Sequence, residues 1–160
     1  MGRRSEVLAT RIEEGAAALA AVASTLSDAQ WRTVVRPDGR TVGVIVHHVA
    51  SMYPIEIDIV RKVAKGTPIT DVTWDVVAQM NAAHAREHAA ITKHDALDLL
   101  QRHSRAAADA VRRLGDDELD RAAPFSLSFG APMTAQFVIE DHPLRHPWHH
   151  LARIKAALKS

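Results

Sequence analysis

The chain has 160 residues, enough for one domain with a substantial core, and 47% of them are hydrophobic, which excludes an intrinsically disordered protein. Twenty basic residues against 19 acidic ones leave a formal net charge of +1 without any basic tract, so nucleic acid is not expected as a partner. Cysteine is absent, which removes disulfides, cysteine nucleophiles and Cys-ligated zinc and leaves histidine and carboxylates as the metal-binding side chains.

Residues 1–5 do not lead into an apolar signal-peptide core, and no run is long enough to span a bilayer, so a cytoplasmic location away from membranes is expected. A first helix is predicted over 5–25, with Ser5 as N-cap. Val7, Leu8, Ile12, Ala16, Leu19, Ala20, Val22 and Ala23 form its buried stripe at three- and four-residue steps. Ser27 caps a short helical turn. Arg36-Pro37-Asp38-Gly39-Arg40 reads as a turn, with proline presetting φ and Gly39 free to take φ above zero.

A second helix runs over 41–65, capped by Thr41 and ended by Gly66 and Pro68. Its inward stripe is Ile45, His48 with Val49, Met52, Ile55 or Glu56, Ile59 and Val63. His47 is rotated about 100° from His48, so at most one of the pair is expected to face the core. Pro54 should kink this helix. The alternation over 54–59 looks strand-like, but helical flanks favour a helix.

A third helix over 73–91 restarts at the capping-box-like Thr92-Lys93-His94-Asp95 and continues over 95–114, burying Leu97, Leu100, Ala107, Val111 and Leu114. Residues 123–133 form a loop or small hairpin. Thr134 caps a last helix reaching about 158, with Phe137, Val138, Ile139, Leu144, Leu151, Ile154 and Leu158 inside. Pro143 and Pro147 each cost ~3 kcal/mol in a helix interior, so this helix should bend or unwind there. Four long amphipathic helices and no convincing sheet predict an all-α, single-domain four-helix bundle over 1–160, with connections long enough for crossovers.

Residues 142–150 hold four of the chain's ten histidines. His146 and His150 are four apart, which stacks their imidazoles on one helix face. With His48 from the second helix they would make a facial set of three nitrogen donors near one end of the bundle. Such a set suits a divalent metal and leaves positions open for water or substrate. Glu56, two turns past His48, is a candidate outer-shell acceptor or general base.

These residues carry a resemblance. The stretch Thr41-Val42-Gly43-Val44-Ile45-Val46-His47-His48-Val49-Ala50-Ser51 resembles the opening of the second helix in the DinB/YfiT-like superfamily, and His146-Pro147-Trp148-His149-His150-Leu151-Ala152-Arg153-Ile154 is similar to its last-helix His-x-x-x-His motif. Asn81, within Gln79-Met80-Asn81-Ala82-Ala83-His84, resembles a recurrent asparagine of actinobacterial-type members. The resemblance spans Val7 to Leu158. It implies a four-helix bundle with crossover connections, a homodimer, and a three-histidine site for a divalent metal, commonly zinc or nickel, with His48, His146 and His150 as ligands. Some relatives are thiol S-transferases or isomerases that use mycothiol or bacillithiol. Pro143 and Pro147 depart from the regular last helix of the family, and Arg153 stands where glutamine is common.

Other histidines have competing readings. His84 and His88, four apart on the third helix, form an alternative metal pair lacking an obvious third ligand; His88 is expected to be solvated and His84 to pack or line a cofactor pocket beside Asn81. His47 and His149 should point away from the site. His142 becomes a ligand if the prolines shift the register. Tyr53 and Trp148 read as packing or pocket-rim groups. Two functions follow. One is a metal-dependent enzyme acting on a small molecule by hydrolysis or by transfer to an external low-molecular-weight thiol. The other is a non-catalytic bundle with a structural or lost metal.

Overall fold

The computed structural model describes residues 2–159. Helix α1 (Arg3–Ala23) buries Leu8, Ile12, Ala16, Leu19 and Ala23 along one stripe. It starts two residues earlier than predicted. Ser5 therefore lies inside the helix, donating its hydroxyl to the Gly2 carbonyl at 2.8 Å, and Val7 is turned half out to solvent. Helix α2 (Asp28–Trp31) is held by a capping box of Ser27 and Gln30. The predicted turn follows, with Gly39 at φ +86°.

Helix α3 (Val42–Ala64) is capped by Thr41 and continues through Pro54, so the strand-like alternation is helical. Every residue from Val42 to Ala50 is buried. Helix α4 (Trp74–Glu87), capped by Thr73, ends four residues before the predicted 91 and buries none of its residues. Helix α5 (Lys93–Arg112), capped by Thr92, buries Ala96, Leu100, Ala107, Ala108 and Val111. Helix α6 (Asp116–Asp120) is a single turn that buries Leu119.

Strands β1 (Ala122–Pro124) and β2 (Pro132–Thr134) pair antiparallel, which resolves residues 123–133 as a small hairpin. Its tip is a 3₁₀ turn at Ser126–Ser128 followed by Phe129 in the left-handed region. Thr134 then caps α7 (Ala135–Ile139). A π-helical turn (Glu140–Leu144) leads directly into α8 (Arg145–Lys159). The distortion expected from the two prolines is thus a widened turn and not a break. A proline at 143 removes one amide and crowds the carbonyl four residues back, and the wider π turn accommodates both effects. Pro147 lies within α8, which runs on through it, and is buried.

Helix α5 packs on both α1 and α3, and the α7–α8 helix returns against the same two. Hence α1 and α3 are diagonal in the bundle, and the connections from α1 to α3 and from α5 to α7 cross it. The core runs through Ile12, Leu19, Ile45, Val49, Tyr53, Leu100, Val111, Ile139 and Ile154. Among the described residues no helix is long and apolar enough to cross a membrane.

Candidate metal centre

Three imidazoles converge where α3 meets α8. The Nε2 of His146 lies 3.2 Å from Nε2 of His48 and 3.1 Å from Nε2 of His150. The three rings stand edge-on to one another, with centroids 4.8–5.5 Å apart. His48 and His150 are buried and His146 is half-buried. Burial, and after it the neighbouring His146, pushes His48 far below the ordinary histidine range and His150 down to about 2. Both rings are therefore neutral at physiological pH and present lone pairs.

This donor set fits a divalent ion. Metal–nitrogen bonds of 2.0–2.1 Å in a tetrahedron place neighbouring nitrogens about 3.3 Å apart, close to the observed spacings. The alternative, hydrogen bonding among the rings, is incomplete. His146 Nε2 carries either one hydrogen or one lone pair, so it can bond only one of its two neighbours. Behind it, Glu56 is buried at 4% exposure with Oε1 3.2 Å from His146 Nδ1. That contact is close without being aligned as a hydrogen bond, and the other Glu56 oxygen is buried with no partner. A carboxylate on the far nitrogen of an imidazole is the usual support of a metal-bound histidine.

The three rings form part of the wall of a cavity of about 370 Å³. Its apolar side is built from Met52, Ile55, Ile59, Val77 and Met80, and Asn81, Arg40 and Arg153 add polar groups. Arg40 is held by Asp38 through bonds of 2.6 and 2.7 Å, while its Nη1 is buried without a partner. The turn carrying this pair was legible from sequence as a turn but not as part of a site. A wider depression of about 560 Å³ between α1 and α5 is lined by Ala16, Ala20 and Leu100 and holds no histidine.

His142 stays out of the triad: it lies on the π turn beside Asp141 at 3.4 Å and edge-on to Phe125. His149 is half-buried at the cavity edge. Tyr53 is buried in the core and Trp148 is exposed. Asn81 lines the cavity, but His84 does not. Instead it joins a second cluster, of which the sequence offered the pair His84 and His88 but not the third member. His47 Nδ1 is 2.8 Å from His84 Nε2, Ser51 Oγ lies 3.4 and 3.3 Å from those atoms, and the His88 ring is 4.1 Å from that of His47. His47 is buried as well as His48, against the expectation that only one of them would face inward. The reason is that the start of α3 is enclosed on all sides, so a residue 100° off the main stripe is also inside. His47 is the third imidazole that the pair His84 and His88 had lacked.

A helical bundle with diagonal crossovers and a cavity walled by three imidazoles is the class of protein that this fold and site define. The model of the DinB superfamily matches residues 11–154, and the chain belongs to that superfamily. Among solved structures it is similar to YfiT from Bacillus subtilis, described as a probable metal-dependent hydrolase with an unusual four-helix bundle topology. The TM-score is 0.78 at 18% identity, covering 99% of this chain and 89% of that one. No curated protein matches the sequence.

Proposed function

We propose that this protein is a divalent-metal-dependent hydrolase in which His48, His146 and His150 hold the metal and the adjoining cavity receives a small-molecule substrate. The convergence of three Nε2 atoms at the cavity wall carries this reading. The likeness to YfiT supports it, since that protein is described as a probable metal-dependent hydrolase. A bound divalent ion would supply Lewis acidity, polarising a substrate carbonyl and making water or a thiol more acidic.

The chain's own groups do the rest. Glu56 stands behind the His146 ring and, through its unpartnered oxygen, is a carboxylate of the cavity wall placed to accept a proton. The apolar wall from Met52 to Met80 holds the hydrocarbon part of a substrate, and Arg40 Nη1 and Asn81 offer donors to its polar end. With no cysteine in the chain, thiol transfer would need an external low-molecular-weight thiol, and a cavity far larger than one water molecule supports that second reading.

The test is elemental analysis of the protein beside His48→Ala and His150→Ala, with hydrolysis of activated amides and esters measured with and without mycothiol or bacillithiol. Each variant is expected to lose about one metal equivalent relative to the parent, with the hydrolytic activity. Unchanged metal content in both variants would overturn the assignment. Turnover only with the thiol would replace hydrolysis by transfer.

A further inference from the structure

Helix α4 presents a problem of attachment. It buries none of its residues, yet it supplies Trp74, Val76, Val77, Met80 and Asn81 to the cavity wall. Packing alone gives such a helix little hold on the bundle, because stability comes chiefly from apolar area removed from water. At its C-terminal end, however, α4 meets α3 through imidazoles. His84 of α4 and His88, the residue that follows its last turn, face His47 of α3, and one nitrogen from each lies within 4.8 Å of the others.

We infer that His47, His84 and His88 form a second divalent-cation site, which fastens α4 to α3 and thereby fixes the position of the cavity wall. Three imidazole nitrogens suit zinc and its neighbours in the transition series. Ser51 Oγ lies 3.4 Å from His47 Nδ1 and 3.3 Å from His84 Nε2, so an oxygen donor stands beside two of them. The other nitrogen of His84 is buried without a partner. None of the three rings lines the cavity, so a cation here would not touch substrate. The two clusters lie on adjacent faces of one turn of α3, through His47 and His48, and the ring of His84 is 5.6 Å from that of His48. The second site needs no residue of the first and stands without it.

The experiment is titration of metal-stripped protein with zinc alone, followed by hydrogen–deuterium exchange across residues 74–87. The parent should take up two equivalents. His48→Ala/His150→Ala and His84→Ala/His88→Gln should each take up one. Zinc should slow exchange in α4 by about tenfold or more in the parent and in the first double variant, but not in the second. His88→Gln alone changes a half-buried ring and keeps the packing. It should weaken the second equivalent by more than the roughly tenfold that loss of an outer-shell partner costs, which decides the matter if a double variant does not fold. A single equivalent in the parent, lost from His48→Ala/His150→Ala, would overturn the inference, as would exchange in α4 that zinc leaves unchanged. Metal retained by His48→Ala/His150→Ala but lost from His84→Ala/His88→Gln would sink the first centre and leave the second standing.

Discussion

The carboxylate of Glu56 lies behind the imidazole of His146, Oε1 to Nδ1 3.2 Å, while the opposite nitrogen of that ring meets His48 and His150. The ring is therefore backed by a carboxylate on one edge and presented on the other. Glu56→Gln keeps the shape and removes the charge. Zinc affinity at the first centre is expected to fall about 10- to 100-fold, measured by competition with a chelator, with helicity unchanged. An affinity equal to that of the parent would show that Glu56 does not support the ring.

Acid should destabilise the metal-free protein. Burial, then the charge of His146, holds His150 down to about 2, and burial, then His47, holds His84 down to about 4. In the unfolded chain both titrate near 6.5. Between these values the unfolded state binds more protons, so stability is full above about pH 6.5 and declines as pH falls, to about 4 for His84 and further for His150. His150 contributes a slope of up to about 1.4 kcal/mol per pH unit, and His84, only half-buried, contributes less because solvent screens it. Thermal melts of stripped protein from pH 7 to pH 4 should fall steadily, and less steeply in His150→Gln. Melting temperatures flat across that window would contradict the buried, neutral state of these rings.

Gly15 lets α1 approach α8. A Cβ at this position would sit 2.9 Å from Pro147 Cγ and 3.0 Å from Trp148 Nε1, in the turn that separates His146 from His150. Gly15→Ala gains about 1 kcal/mol of helix propensity but forces an overpacking cost of about 1–3 kcal/mol. The expected result is a lower melting temperature together with weaker zinc binding. Gly130→Ala is the control: its φ of +82° strains any side chain, yet nothing lies within 4 Å, so stability should drop while zinc affinity holds.

The main helices were legible because their stripes repeat at helical spacing, and Thr41, Thr92 and Thr134 cap where the sequence places them. The meeting of His48, His146 and His150 was legible for the same reason: each lay in an inward register. Where the reading failed, the deciding information was not local. Nothing near His47 says that α3 is enclosed on every side, so its burial, and with it the second cluster, depends on contacts with distant helices. Helix α4 has the pattern of a bundle member but buries no residue, because α1, α3, α5 and the last helix already complete the core. Pro143 announced a distortion without saying that it would be a π turn.

That π turn lets chain length at 140–144 vary without moving the site. A π turn holds one residue more than an α-helix needs for the same advance, whereas an extra residue in a regular helix would rotate all that follows by about 100°. The widened turn absorbs that residue, so His146 and His150 keep the face they would have on an unbroken helix. A protein of this fold that is one residue shorter here, regular through the stretch and without Pro143, would present the same pair to the same cavity wall. Counting residues from α7 to the histidines would put two such centres one position apart, though in space they coincide.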